Sequence, residues 1–186
     1  MTVVGLAELV GAYVLARALQ DAPLPVPAQE RARFSRYVGD VLANPAARSV
    51  IVAYTGHNWE LFGMWGWMGP FMIASLTARG SSLHAAWVLG GMLAAAVIGV
   101  GGTIGAVAGG RLSDRLGRPR AAALMLGASL PCSLAFGWLF DAPLAIVVAV
   151  GLVYATAVLA DSPAYAASVM ELVPPRSLGG AFSIQI

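Results

Sequence analysis

Apolar residues come in long blocks along this chain, and the block lengths predict its elements. Residues 2–19, 49–76, 83–109, 120–139 and 143–169 are each read as a membrane-crossing helix, since a bilayer core of about 30 Å needs about 20 residues at 1.5 Å per residue. The polar stretch after the first block has a period of its own. Phe34, Tyr37, Val38, Val41 and Leu42 recur at i, i+3, i+4, i+7 and i+8, with Arg31, Arg33 and Arg36 at other positions. That spacing predicts an amphipathic helix between Pro27 and Asn44-Pro45, its apolar face on the lipid interface or on the bundle. At the far end Gly179–Ile186 starts like a further helix, so the pattern reads as part of a larger bundle. The first block, which carries Glu8, lacks the basic leader and small-residue cleavage site of a signal peptide and reads as a membrane helix.

Composition sets the solvent. With 59% hydrophobic and 11% charged residues and a mean hydropathy of +0.77, most of this surface faces lipid. All eleven basic residues are Arg and the net charge is only +2, which argues against a nucleic-acid partner. Their placement is the informative part. Arg17, Arg31, Arg33, Arg36 and Arg48 flank the first polar stretch, Arg111, Arg115, Arg118 and Arg120 fill the second, and Arg176 sits in the last. With spans alternating in direction, only Arg79 falls on the opposite side, so the positive-inside rule makes the other ten cytoplasmic. Cys132 is a single cysteine inside an apolar run, which excludes a disulfide framework. His57 and His84 are the only histidines, too few and too far apart for a multi-histidine metal site, and no cofactor is expected.

Polar residues inside spans are the functional clues, because a charged side chain at a helix centre costs roughly 2.5–3.5 kcal/mol on insertion scales and so tends to line a cavity. His57, Glu60, Met64 and Trp67 follow i, i+3, i+7 and i+10, which predicts one polar and aromatic stripe, with Asn58 beside it. An imidazole and a carboxylate one turn apart can share a proton; the alternative is hydrogen bonding to neighbouring helices, with Trp59, Trp65 and Trp67 as packing or interfacial anchors. Asp161-Ser162-Pro163 forms a second cluster, where Pro163 removes a helix hydrogen bond beside the Asp161 carboxylate. Asp161 reads equally as a cavity residue and as a packing group. Gly101, Gly105 and Gly109, four apart, predict close helix packing, and the same face could also be a sliding seam.

Residues 110–120 read as a tight turn between two spans, with Gly110 and Gly117 permitting the sharp backbone, Asp114 near a helix N-terminus, and Arg115 or Arg118 free to pair with an acid such as Glu171. The spacing Gly110, Asp114, Arg115, Gly117, Arg118 resembles the Gly-x-x-x-Asp-Arg-x-Gly-Arg signature of the major facilitator superfamily of secondary transporters. Pro174-Pro175-Arg176-Ser177-Leu178-Gly179-Gly180-Ala181 is similar to the loop before that family's eleventh helix. Two positions depart from the pattern: Leu178 stands where an Arg is common, and Pro119 where a basic residue is common.

The resemblance implies an incomplete all-α membrane bundle of about five transmembrane helices, six to ten of twelve. Residues 1–19 would be the sixth, 20–46 the cytoplasmic central loop, and 47–186 part of the carboxy-terminal helical domain. An alternative register would make the last four the first to fourth helices of the amino-terminal half, against which the block at 2–19 argues. In the family the motif's Asp and Arg latch helices at the cytoplasmic face, a role that falls here to Gly110, Asp114, Arg115, Gly117 and Arg118 with Glu171 as partner. The expected function is alternating-access transport of an unidentified small solute across the inner or plasma membrane, driven by protons, with the lipid bilayer and the remaining helices as partners. His57, Asn58, Glu60, Met64, Trp67 and Asp161 are the cavity or proton-coupling candidates. The competing readings are a non-transporting membrane module and a membrane enzyme using His57 and Glu60.

Overall fold

The computed structural model describes residues 34–185; the expected span at 2–19 and the loop up to residue 33 lie outside the described residues. Seven α-helices follow in order: α1 Phe34–Ala43, α2 Pro45–Ala78, α3 Leu83–Leu116, α4 Arg118–Phe136, α5 Leu144–Ala160, α6 Ser162–Leu172 and α7 Leu178–Gln185. Short 3-10 turns lie at Gly137–Leu139 and Pro175–Ser177, and no strand occurs among the described residues.

Local chemistry explains the boundaries. Asn44 caps α2 by accepting from the amides of Ala46 and Ala47 at 3.0 and 3.4 Å, and Pro45 occupies the first turn, where its missing N–H costs nothing. Ser82 caps α3 by accepting from the Ala85 amide at 3.3 Å. The expected arginine turn is a correction: α3 runs on through Arg111, Asp114 and Arg115 to Leu116, and α4 starts at Arg118. Gly117, at φ +83°, alone makes the reversal, while Gly110 sits inside the helix with nothing near its missing Cβ. Hydropathy falls where α3 leaves the apolar layer, but the hydrogen-bond ladder of a helix does not depend on hydropathy and continues.

Three segments are long and apolar enough to cross a membrane: Leu83–Leu116, Arg118–Leu139 and Leu144–Leu172. Helix α2 matches α3 in length at 34 residues but does not join that set, because His57, Glu60, four glycines and Pro70 dilute its apolar residues. The last segment breaks where the sequence predicts. Pro163 has no N–H for the Leu159 carbonyl, and the chain bends at Asp161, whose own carbonyl accepts from the amides of Ala164 and Tyr165 at 2.9 and 3.1 Å.

The Leu144–Leu172 segment is the centre of the bundle: 44% of its most apolar stretch is buried, against 11% for Arg118–Leu139, most of whose apolar surface is left for lipid or further helices. The glycine repeat seats α3 on α5. A Cβ at Gly101 would lie 2.7 Å from the Ala155 Cβ, and one at Gly105 or Gly109 would overlap the carbonyl oxygens of Thr156 and Ala160. Only bare backbone permits this approach. Gly90 does the same toward α2, where a Cβ would lie 2.8 Å from Ile73 Cγ1. The main core gathers Leu61, Met64, Met68 and Met72 of α2 with Val97, Phe136, Val147, Tyr154 and Val158.

Side-chain bonds tie the turns into two ends. At one, Asn44 Nδ2 donates to the Leu172 carbonyl at 3.2 Å, and a small core of Val41, Ala47, Ile51, Val169, Val173 and Ala181 joins α1 to α6 and α7. The amphipathic helix therefore rests on the bundle through Val41. At the other end, the Arg79 guanidinium reaches over the turn after α4, donating to Ser75 Oγ and to the carbonyls of Phe140 and Ala142, while Ser75 Oγ donates to Phe140 O at 2.7 Å. Arg79 thus sits at the end opposite Arg118 and Glu171, as the arginine pattern predicts.

Candidate functional site

Helix geometry divides the predicted stripe. At about 100° per residue, Met64 lies within about 20° of His57, whereas Glu60 and Trp67 fall about 60–80° to one side. His57 and Met64 are accordingly buried at 3% and 4% exposure, Glu60 is half-buried, and Trp67 is 74% exposed. Met64 is a core residue whose edge borders a cleft, not a polar-face residue.

His57 meets Asp161 across the break between α5 and α6. Its Nδ1 lies 2.8 Å from Asp161 Oδ1, with side chains 1% and 4% exposed. The two atoms are in close polar contact without hydrogen-bond alignment, and neither has another hydrogen-bond partner among the described residues. Nε2 meets Ser162 Oγ at 3.0 Å. Tyr54 and Tyr165 flank the imidazole, with ring centroids 5.3 and 5.7 Å from it. The broken helix supplies this geometry: the bend turns Asp161 and Ser162 together toward α2, so both imidazole nitrogens face groups from consecutive residues.

Glu60 does not pair with His57 but reaches α4. Ser129 Oγ donates to its Oε2 at 3.2 Å, while Oε1 is buried without a hydrogen-bond partner among the described residues. His57 and Asp161 remain within electrostatic reach of it. The Tyr154 hydroxyl stands close enough to interact with the same carboxylate, without the alignment of a full hydrogen bond.

Beside Glu60 opens a cleft of about 540 Å³, lined by Trp59, Gly63, Trp67, Phe71, Phe136 and Tyr154 among others. A second cleft, of about 580 Å³, shares Trp59, Gly63 and Trp67 and adds Thr55 and Asn58. The structure thus joins His57 to Asp161 and groups Glu60, Met64 and Trp67 around one cleft, with Asn58 on its neighbour. No cluster of three or more His, Cys, Asp and Glu able to hold a metal occurs among the described residues. Ser162 belongs to the cluster that the sequence marks at 161–163, whereas Ser129, Tyr54 and Tyr165 do not stand out in the sequence. Tyr54 lies one turn before His57 and Tyr165 one turn after Asp161, which was the available signal.

The motif residues form a separate cluster at the far end of α3. Arg118 Nη1 donates to Ser113 Oγ at 3.0 Å and to Asp114 Oδ1 at 2.6 Å, and its Nε and Nη2 both lie 3.1 Å from Glu171 Oε1. One guanidinium therefore joins α3, α4 and α6, using the fork geometry that Arg alone offers. Gly117 makes this possible by placing Arg118 on the first turn of α4. The side chain of Arg176 lies outside the described residues.

A family model described as Major Facilitator Superfamily matches residues 1–185. No match was found among curated proteins or among solved structures.

Proposed function

The chain belongs to the major facilitator superfamily, and from that premise we propose that it serves proton-driven, alternating-access transport of a small solute with Glu60 as the coupling carboxylate. Membership makes it a multi-pass membrane protein, in contact with lipid, of a family of transporters and not of enzymes. The observation that carries the coupling role is the state of Glu60: a half-buried carboxylate at the wall of the 540 Å³ cleft, held by the hydroxyls of Ser129 and Tyr154 and not by a basic residue among the described residues. A carboxylate placed so can exchange a proton with a wetted cleft, whereas the His57–Asp161 pair behind it is closed off and holds α2 against the α5–α6 break.

In this reading residues 1–19 are the sixth helix, 20–46 the cytoplasmic central loop, and 47–186 the seventh helix onward, in the inner or plasma membrane. The substrate path lies where the Glu60 cleft faces the other helical half. Gly110, Asp114, Arg115, Gly117, Arg118 and Glu171 form the cytoplasmic latch, with Arg118 as its hub and Gly117 as its hinge point. The test is solute accumulation by the full-length protein in proteoliposomes, screened by mass spectrometry with and without an imposed proton gradient. Accumulation of a solute only with the gradient supports the reading; gradient-independent equilibration, or none for any solute, contradicts it.

A further inference from the structure

The outward face of α2 carries Trp59, Gly63 and Trp67 at i, i+4 and i+8, so two indoles stand one turn below and one turn above a bare backbone position. Both indoles are largely exposed, at 85% and 74%. Around Gly63 a Cβ would meet nothing within 4 Å, so the space between them is open. Phe71, Phe136 and Tyr154 close the deeper wall of the same cleft, and Glu60 adds its one carboxylate. Ser129 Oγ donates to one oxygen of that carboxylate, and the Tyr154 hydroxyl stands within interaction range of the group. No arginine lines the cleft among the described residues.

We propose that the slot over Gly63, between Trp59 and Trp67 and beside Glu60, binds organic cations: alkyl- or aryl-substituted ammonium compounds with an apolar body. Aromatic faces attract such cations through the ring quadrupole, most strongly when the site is desolvated, and indole is the best of the three rings. A neutral solute gains the apolar contacts but no charge attraction to the Glu60 carboxylate, and an anion meets a like charge. The polar side chains facing the cleft are Glu60, Ser133 and Tyr154 amid an aromatic wall, a setting that suits an ammonium carrying apolar substituents more than a bare one. The apolar volume suits a body of several carbon atoms. This inference rests on the transporter reading, since it names the substrate class of the cleft placed on that protein's solute path.

The experiment is equilibrium binding to the full-length protein in nanodiscs, with no gradient. Benzyltrimethylammonium is titrated by calorimetry beside neopentylbenzene, its uncharged isostere. The expected result is saturable binding of the cation at least about tenfold tighter than the isostere. Glu60→Gln removes that preference, and Gly63→Val, which puts a branched side chain into the slot where a Cβ meets nothing within 4 Å among the described residues, abolishes binding of both. Trp67→Ala weakens the cation by several-fold with Glu60 intact, separating the aromatic contribution from the charge. Equal affinity for cation and isostere, or cation binding untouched by Glu60→Gln and Gly63→Val, overturns the proposal. Gradient-driven accumulation of a non-cationic solute would leave the transporter reading standing while this proposal falls; cation binding without any gradient-driven flux would do the reverse.

Discussion

Two polar clusters sit in the same helical bundle and differ in one respect above all, their exposure to water. The His57–Asp161 pair has side chains 1% and 4% exposed, whereas Arg118 holds Asp114 and Glu171 with theirs 71% and 57% exposed. A buried pair has lost hydration on both sides, so removing one partner leaves an uncompensated polar group. An exposed pair exchanges water for partner at little net gain and is weakened by salt. The difference teaches which cluster suits which work. In the proposed cycle a contact that opens at each turnover has to be weak, which suits the exposed Arg118 fork; a contact that fixes one helix against a broken one has to persist, which suits the buried His57–Asp161 pair.

The largest expected effect comes from breaking the buried member. Asp161→Ala should lower the stability of the full-length protein by about 3–5 kcal/mol, read as its unfolding midpoint in detergent, because the buried His57 Nδ1 then has no polar group facing it. Asp161→Asn, which keeps a hydrogen-bonding group of the same size, should recover part of that loss. An alanine variant melting with the wild type would erase the contrast between the clusters.

The next effect lies in the seam connecting them. Gly109 touches the Ala160 carbonyl, next to Asp161, and one turn further along α3 is Ser113, bonded to Arg118. Gly105→Val should cost about 1–3 kcal/mol through overpacking against α5. Gly110→Ala, one residue beyond the seam and facing open space, should instead be neutral or stabilising by up to about 1 kcal/mol through helix propensity. Equal effects at both positions would show that the α3–α5 approach is not as close as the backbone places it.

The smallest effect on stability belongs to the exposed cluster. Arg118→Gln should leave the unfolding midpoint within the range of ordinary surface changes, yet expose what it covers. A cysteine placed at Ser113, 1% exposed beneath the guanidinium, should react several-fold faster with a water-soluble maleimide in the Arg118→Gln background. Raising salt to about 1 M, where the Debye length is about 3 Å, should move the wild type the same way. Labelling indifferent to both would place the fork outside any opening motion.

How far the sequence reveals this molecule differs by element. Helices α3, α4 and α5 with α6 are legible because lipid-facing helices need long apolar runs and little else. The α5–α6 break is legible because Pro163 carries its consequence locally. The turn at residues 110–120 misleads: polar residues mark the edge of the apolar layer, and two further turns of helix lie beyond that edge. Within the site, His57, Glu60 and Asp161 stand out by their cost in an apolar setting, but their pairing does not. His57 and Glu60 are one turn apart in sequence and 60° apart in direction, so each finds a partner on a different helix. That choice is tertiary, set by where α4 and the α5–α6 break lie against α2, and no local pattern carries it.

The measurement closest to the central claim compares accumulation with exchange in Glu60→Gln proteoliposomes of the full-length protein. With a solute identified by gradient-driven uptake of the wild type, the account predicts that the variant still exchanges labelled for unlabelled solute but no longer concentrates it under an imposed proton gradient. Undiminished concentration by Glu60→Gln would contradict the account and take Glu60 out of the coupling step.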